Sequence, residues 1–398
     1  MLLSRTPPQK DETLESFIIR TAQHNGYKEI DRFLGALQRL DSRQNSKVHS
    51  ASSLKLLSIN LYHAKTSGRS RLDFIRLFSH LIFEEAKSVN SLLLYRGREK
   101  FSGKYESVNR EGDVYPRIFL QTSTIPVCTE CLAEGAYIRQ LWHFTPYNAC
   151  HHHCRTLIHQ CSCGHMIHYI KDQSINICPK CNEPYYQDEK SKAPSADLEL
   201  ARWLSGGTVE HLPDINKSHR WGILLWWLQF NHYNPDRYAQ ETSPDFILFL
   251  SGFPETFHHI LDEKVNLAED YSTKQLGALR FEDVFGNLLL TSTRLPSSKL
   301  KFNIILKYLI SFFQDKFYSN NWLANLKLNA IEASILLNCN TQQVAALADQ
   351  GILPIHNKRL INPLNIYTPA FELGDVFCVW MTKFQSEHSN LQVLTSKW

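Results

Sequence analysis

At 398 residues, with 43% apolar and 12% aromatic residues, the chain has material for real hydrophobic cores and for two or three domains. A formal net charge of +4 and a pI near 8.4 permit contact with nucleic acid but supply no polycationic tail that would demand it. No run of eighteen apolar residues appears, and Met1 to Pro8 has neither an apolar h-region nor a small-residue cleavage site, so the sequence predicts a cytoplasmic protein without a membrane span.

The expected fold is mainly α, in three parts: an N-terminal helical domain over 1–95, a linker and tandem zinc-binding region over 96–190, and a C-terminal helical domain over 191–398. After Pro7-Pro8, Asp11 is placed to cap a helix with Glu12 in its first turn, and Leu14, Phe17, Ile18, Thr21 and Ala22 form one face. Asn25-Gly26 ends it, and Ile30, Phe33, Leu34 and Leu37 mark a second helix. Two short helices joined by a glycine turn are the skeleton of a helix-turn-helix, and equally of a small helical subdomain with no DNA contact. Arg20, His24 and Tyr27 are its candidate nucleic-acid or partner contacts. Ser42 to Ser53 reads as a polar loop, and Leu72, Ile75, Leu77, Phe78, Leu81 and Ile82 as another helical face. Residues 96–113 read as an exposed basic linker. Its Arg96, Arg98, Lys100, Lys104 and Arg110 could touch phosphate, although a solvated loop is the simpler account.

Eight of the ten cysteines fall between Cys128 and Cys181. In order, the pairs Cys128-x-x-Cys131, Cys150-x-x-His153, Cys161-x-Cys163 and Cys178-x-x-Cys181 each put two soft donors on a tight turn, and two such turns complete a tetrahedron around zinc. The pattern predicts two closed sites, hence two structural zinc ions per chain, with no position left open for catalysis. A disulfide framework belongs to small secreted chains, not to one of this length and composition. At the first site His151, His152, His153 and Cys154 are all competent donors, and the spacing favours His153. His159, His165 and His168 read as neutral surface histidines.

Beyond a charged spacer at Gln187 to Pro194, helices are expected around Leu198 to Leu204, His219 to Phe230, Phe246 to Phe257, Phe281 to Leu290 and Phe302 to Phe313. Trp221, Trp226, Trp227 and Phe230 on one short helix require core or interface, and core is preferred. Near 330–353, Ile331 to Leu337, the turn Asn338-Cys339-Asn340 and a helix capped by Thr341 have the rhythm of a second helix-turn-helix. Its outward face carries Gln342, Gln343, Ala345, Ala346, Asp349 and Gln350 but no cation, so it is a weak DNA reader or a protein-docking helix; the nearest positive charges are Lys358 and Arg359.

Zinc deaminase, His-Glu-x-x-His, Walker, Gly-x-Ser-x-Gly and Gly-x-Gly-x-x-Gly patterns are absent. Spacing alone does not exclude an Asp-Asp-Glu triad, but the acidic residues sit singly, and a non-enzyme is expected. That leaves an adaptor or an autonomous zinc-containing DNA-binding regulator.

Pro8, Asp11 to Arg20 and Asn25-Gly26-Tyr27 resemble the start of the TniQ family of transposition proteins. The paired knuckles, Leu141 to Phe144, Cys161 to Gly164, Arg220-Trp221-Gly222, Trp226-Trp227, Arg294-Leu295-Pro296 and Phe384-Gln385-Ser386 continue the resemblance. It implies a protein that selects where a Tn7-like element inserts and recruits an AAA+ ATPase, which engages the transposase. The length and the cation-free second helix depart from the longer TnsD-like branch, which reads target DNA itself. They are similar to TniQ of type I-F CRISPR-associated transposons, where the implied partner is a guide-RNA Cascade complex, the protein is a homodimer, and target DNA is met mainly indirectly.

Overall fold

The structure, a computed structural model, describes residues 4–44, 55–60, 69–82, 86–101, 105–121, 123–186, 192–233, 242–293, 303–317, 321–356 and 365–388. Sixteen α-helices and a few short strands occur among them, so the chain is mainly α as expected. Contacts group it into two compact units, 1–228 with 232–248, and 229–231 with 249–398.

The first unit begins with α1 (Leu14–His24), α2 (Ile30–Gln44), α3 (Arg69–Ile82) and α4 (Ala86–Asn90). The cap of α1 is Thr13, whose hydroxyl accepts from Ser16 N, and not Asp11. The helix starts later because residues 11–13 pair as extended backbone with 138–140: Gln140 N donates to Asp11 O and Thr13 N to Ile138 O. Asp11 then reaches Arg139, and Glu12 turns inward to take both Ser16 Oγ and the Arg20 fork. Gly26, at φ +79°, turns the chain so that Leu14, Phe17, Ile18 and Ala22 of α1 bury against Ile30, Phe33, Leu34 and Leu37 of α2. Phe78 of α3 closes this packing edge-on to Phe17 and Phe33, at 5.5 and 6.4 Å between centroids.

The stretch read as a linker is instead a three-stranded antiparallel sheet, β1 (Tyr95–Lys100), β2 (Glu106–Arg110) and β3 (Asp113–Pro116), in that order. Val108, Val114 and Tyr115 are buried, and so is Arg110, which donates to the carbonyls of Ser91 and Lys10 and to Gln140 Oε1. Cationic residues between the apolar ones hid the strand alternation; Lys104 lies outside the described residues. Next come α5 (Thr129–Glu134), the hairpin β4 (Ala149–Cys150) and β5 (Arg155–Thr156), α6 (Tyr169–Asp172), α7 (Ser195–Ser205) and α8 (Lys217–Phe230). Trp221 sits among Tyr115, Phe119 and Phe144, 5.1–6.1 Å away, and Trp226 and Trp227 are buried, so this helix is core.

One hydrophobic cluster runs from Leu14 of α1 through Phe78 to Val127, Trp142, Tyr147, Ile167 and Tyr169 around the cysteine pairs. The cysteine-rich region is thus a wall of the same core that holds the N-terminal helices.

The Phe246 to Phe257 segment is two helices, α9 (Thr242–Ser251) and α10 (Glu255–Tyr271). Most of α9 belongs to the first unit; the second holds α10, α11 (Phe281–Phe285), α12 (Leu288–Ser292) and α13 (Ile304–Lys316), packed through Phe257, Phe281, Phe285, Phe312 and Phe313. Then follow β6 (Lys327–Leu328), α14 (Ala330–Leu336), α15 (Thr341–Asp349), β7 (Phe371–Glu372) and α16 (Leu373–His388). The cap of α15 is Asn340, not Thr341: Asn340 Oδ1 takes Gln343 N while Gln343 Oε1 takes Asn340 N. Val344 and Leu347 face inward as expected. Strand β7 pairs with β6, and His356 N donates to Ala370 O just before it, so backbone pairing follows the two helices. No helix among the described residues is long and apolar enough to cross a membrane.

Candidate metal centres

The first cysteine pair is set by α5. Cys128 precedes the helix, Cys131 lies in its first turn, and Leu132 N and Gly135 N close onto the carbonyls of Cys128 and Cys131. Cys150 ends β4, and the turn to β5 presents His153, with Cys154 at φ +56° making the reversal. Cys131 Sγ lies 3.5 Å from Cys150 Sγ, and His153 Nδ1 lies 3.2, 3.6 and 3.6 Å from the sulfurs of Cys131, Cys128 and Cys150. Zinc–sulfur bonds of about 2.3 Å in a tetrahedron place donors about 3.6–3.8 Å apart, so these separations suit one ion. They are far too long for a disulfide, which holds sulfurs at about 2.05 Å.

The second centre is built from two turns. Cys161 N donates to His165 O, and Gly164 N, at φ +85°, donates to Cys161 O. Cys178 N donates to Glu183 O, and Asn182 N, at φ +63°, donates to Cys178 O. The cross-turn sulfurs, Cys161 to Cys181 and Cys163 to Cys178, are 3.8 and 3.6 Å apart.

Among the described residues these two sets of four each bring their donors within 4.8 Å of one another, and either could hold a metal ion. The donors fit zinc: three thiols with an imidazole, and four thiols. Their electrostatics fit it too. Hydrogen bonds with Cys128 and then Cys131 pull the Cys150 thiol down, while hydrogen bonds with Cys128 and then Cys150, with burial, push Cys131 up. At the second centre the Cys163 backbone amide draws Cys161 down to about 7. Protons and thiolates crowded this closely are what a divalent cation relieves.

The surroundings favour His153, among its neighbours, as the nitrogen donor such a site would use. Its Nε2 meets Glu134 Oε1 at 2.9 Å, fixing the ring with Nδ1 toward the sulfurs, as a carboxylate orients a metal-binding imidazole. His151 instead gives Nδ1 to Tyr147 Oη at 2.6 Å, and burial followed by the adjacent His152 lowers its pKa to about 4. His152 is exposed and lies tilted against His151, with centroids 4.1 Å apart, and Cys154 is exposed. Arg139 Nε lies 3.4 Å from Cys131 Sγ while its other arm holds Asp11, so the first centre is wired to the start of α1. A second buried link joins the Thr13 hydroxyl to Tyr169 Oη at 2.8 Å and Tyr169 to His143 Nε2 at 2.9 Å. Sequence reasoning missed Glu134 and Arg139. The available signal was position: Glu134 follows Cys131 by one helical turn. His168, read as a surface residue, is buried, and His165 is held by Asp172 at 3.1 Å.

A third cluster, His356, Glu372 and Asp375, is different in kind. His356 turns Nε2 to Asp375 at 2.6 Å and Nδ1 to Glu372 at 3.5 Å, and Lys327 also holds Glu372. Opposite ring nitrogens on two carboxylates beside an ammonium make an ion-pair strut rather than a ligand set.

The candidate contact residues are scattered. Arg20 is mostly covered and committed to Glu12, Tyr27 packs on Phe33 at 5.2 Å, and His24 is exposed with Nδ1 at the Thr6 hydroxyl. Gln342 is exposed on α15, Gln343 is engaged in its cap, and Lys358 and Arg359 lie outside the described residues.

A search of curated proteins found no match. The family model TniQ matches residues 3–157, a stretch that runs from before α1 through β5 and takes in the whole first metal centre. Those residues are similar to the TniQ family of transposition proteins, and the match ends before the second metal centre.

Proposed function

We propose that this protein is a target-selection adaptor of a Tn7-like transposon that works as a homodimer, docks on a guide-RNA Cascade complex and recruits the AAA+ ATPase and transposase for DNA insertion. The TniQ domain over residues 3–157 carries this reading and supports target selection in Tn7-like transposition in general. The two centres hold structural zinc: seven thiols and His153 use every donor and leave no open coordination position, so bound zinc would contribute folding energy rather than chemistry. The protein acts in this reading as a scaffold, not an enzyme.

The Cascade assignment rests on what α15 presents. Its exposed positions include Gln342, Ala346, Asp349 and Gln350, and a helix lying in a major groove needs cations for the flanking phosphates. A guide RNA supplies sequence recognition without that requirement. Mobility shifts across a salt series test it: the isolated protein should bind duplex DNA weakly and without sequence preference. Tight binding to one sequence at physiological salt, with discrimination above roughly a thousandfold, would favour an autonomous TnsD-like DNA reader instead.

A further inference from the structure

We propose that the outer face of α10 is a docking surface for a basic, amphipathic protein helix. His259, Glu263, Asn266 and Asp270 recur at helical spacing opposite the buried Phe257, Leu261 and Val265, and Leu267 and Tyr271 run along the edge of that face. Leu267 is 56% exposed and Tyr271 77%. A single exposed leucine is ordinary, but here an exposed tyrosine stands one turn further along, with the carboxylates of Glu263 and Asp270 on one side of the pair and Lys264 on the other.

The fold makes little use of what this face holds. The last turn of α10 carries Glu269 and Asp270 and no basic residue, so acidic groups stand where the helix dipole is already negative. Glu269 is engaged by Trp322 Nε1 at 2.8 Å, but Asp270 makes no ion pair among the described residues, and Glu263 meets His259 at 3.5 Å. Lys264, at the rim, lies over the Phe230 ring, 5.5 Å from its centroid. Negative charge repels a phosphate backbone and selects a cationic partner. Leu267 and Tyr271 add an apolar anchor, tyrosine being a frequent interface hot spot, and their one-turn spacing matches a helix with an apolar stripe flanked by lysine or arginine. This inference stands apart from the proposed role in target selection.

The test uses the full chain and a labelled helical peptide of leucine and lysine, about 18 residues long, followed by fluorescence anisotropy. The peptide should bind, and binding should weaken at least about tenfold in Leu267→Ala/Tyr271→Ala and in Glu263→Gln/Asp270→Asn, and also between roughly 50 and 300 mM salt. The same peptide with glutamate in place of lysine should not bind, and a single-stranded oligonucleotide should not compete. Equal affinity of the wild type and both double variants, or equal binding of the glutamate peptide, overturns the proposal; oligonucleotide binding lost in these variants would make the face a nucleic-acid site. Stability provides a separate readout. Asp270→Asn should raise Tm by about 1–3 °C, because it removes charge the helix opposes, and a fall in Tm would show that Asp270 serves the fold.

Discussion

At the scale of single residues, the chemistry turns on which of several similar side chains is oriented by a neighbour. His151, His152 and His153 are consecutive, yet only His153 has a carboxylate behind it and three sulfurs in front. His153→Ala should therefore lower bound zinc from about two equivalents toward one, whereas His151→Ala should leave two, as read by metal analysis of protein purified without chelator. Equal loss in the two variants would contradict the assignment. Cys131→Ala or Cys178→Ala, which also removes a buried thiol from the core, should give aggregation rather than a soluble inactive protein, whereas partly exposed His153 costs the core less and its variant is assayed on the fraction that stays soluble; zinc binding supplies folding energy on the order of 10 kcal/mol in small sites. Glu15 supplies a second prediction. It is buried in α1, with Oε1 taking Asn60 Nδ2 and Oε2 without a hydrogen-bond partner among the described residues. Burial raises its pKa to about 7, against the opposing effect of the Asn60 hydrogen bond. A carboxyl with a raised folded pKa stabilises the fold fully below its unfolded value, and that stability is lost as pH rises through the folded one. Between about pH 4.5 and 7 the loss is on the order of 3 kcal/mol. Glu15→Gln should flatten this slope in urea titrations of the N-terminal unit, and an unchanged slope would remove Glu15 as its source.

At the scale of elements, legibility followed how local the determining physics is. The ligand pairs were readable because a metal turn is a short-range object: two donors, two or three residues apart, at a reversal. The helices with regular apolar spacing, α1, α2, α8, α14 and α15, were readable for the same reason. The caps moved because tertiary backbone pairing decided them: residues 11–13 are taken by 138–140, leaving Thr13 to start α1. The strands over 95–116 were hidden because their cations lie among the apolar positions, and Arg110 is buried by partners 19 to 100 residues away, a distance no periodicity encodes. Arg220 is a similar case. It appeared only within a motif, yet its fork donates to Trp203 O and Gly207 O at 2.7 and 2.6 Å and its Nε to Ile215 O at 2.7 Å, closing the end of α7. Arg220→Ala should destabilise the first unit by about 3 kcal/mol in denaturant unfolding followed by tryptophan fluorescence. Arg220→Lys should restore little, because a point ammonium cannot span the carbonyls that a planar fork reaches. Full stability of the lysine variant would show that charge alone suffices.

At the scale of the whole molecule, a TniQ domain comes with two four-donor sets that could each hold a metal ion, set in the core that holds α1 to α3, and with a C-terminal helix pair, α14 and α15, that carries no cation. In the proposed role this protein holds partners in register, and the guide RNA, not this chain, reads the target. Mapping insertions by sequencing, with this protein, its Cascade, its ATPase and its transposase present and the guide reprogrammed, tests that claim most directly. Insertions should move with the guide and should disappear when this chain is omitted. Insertions that stay at one fixed DNA site whatever the guide would contradict the account, and would show that the chain, or a partner other than Cascade, chooses the target.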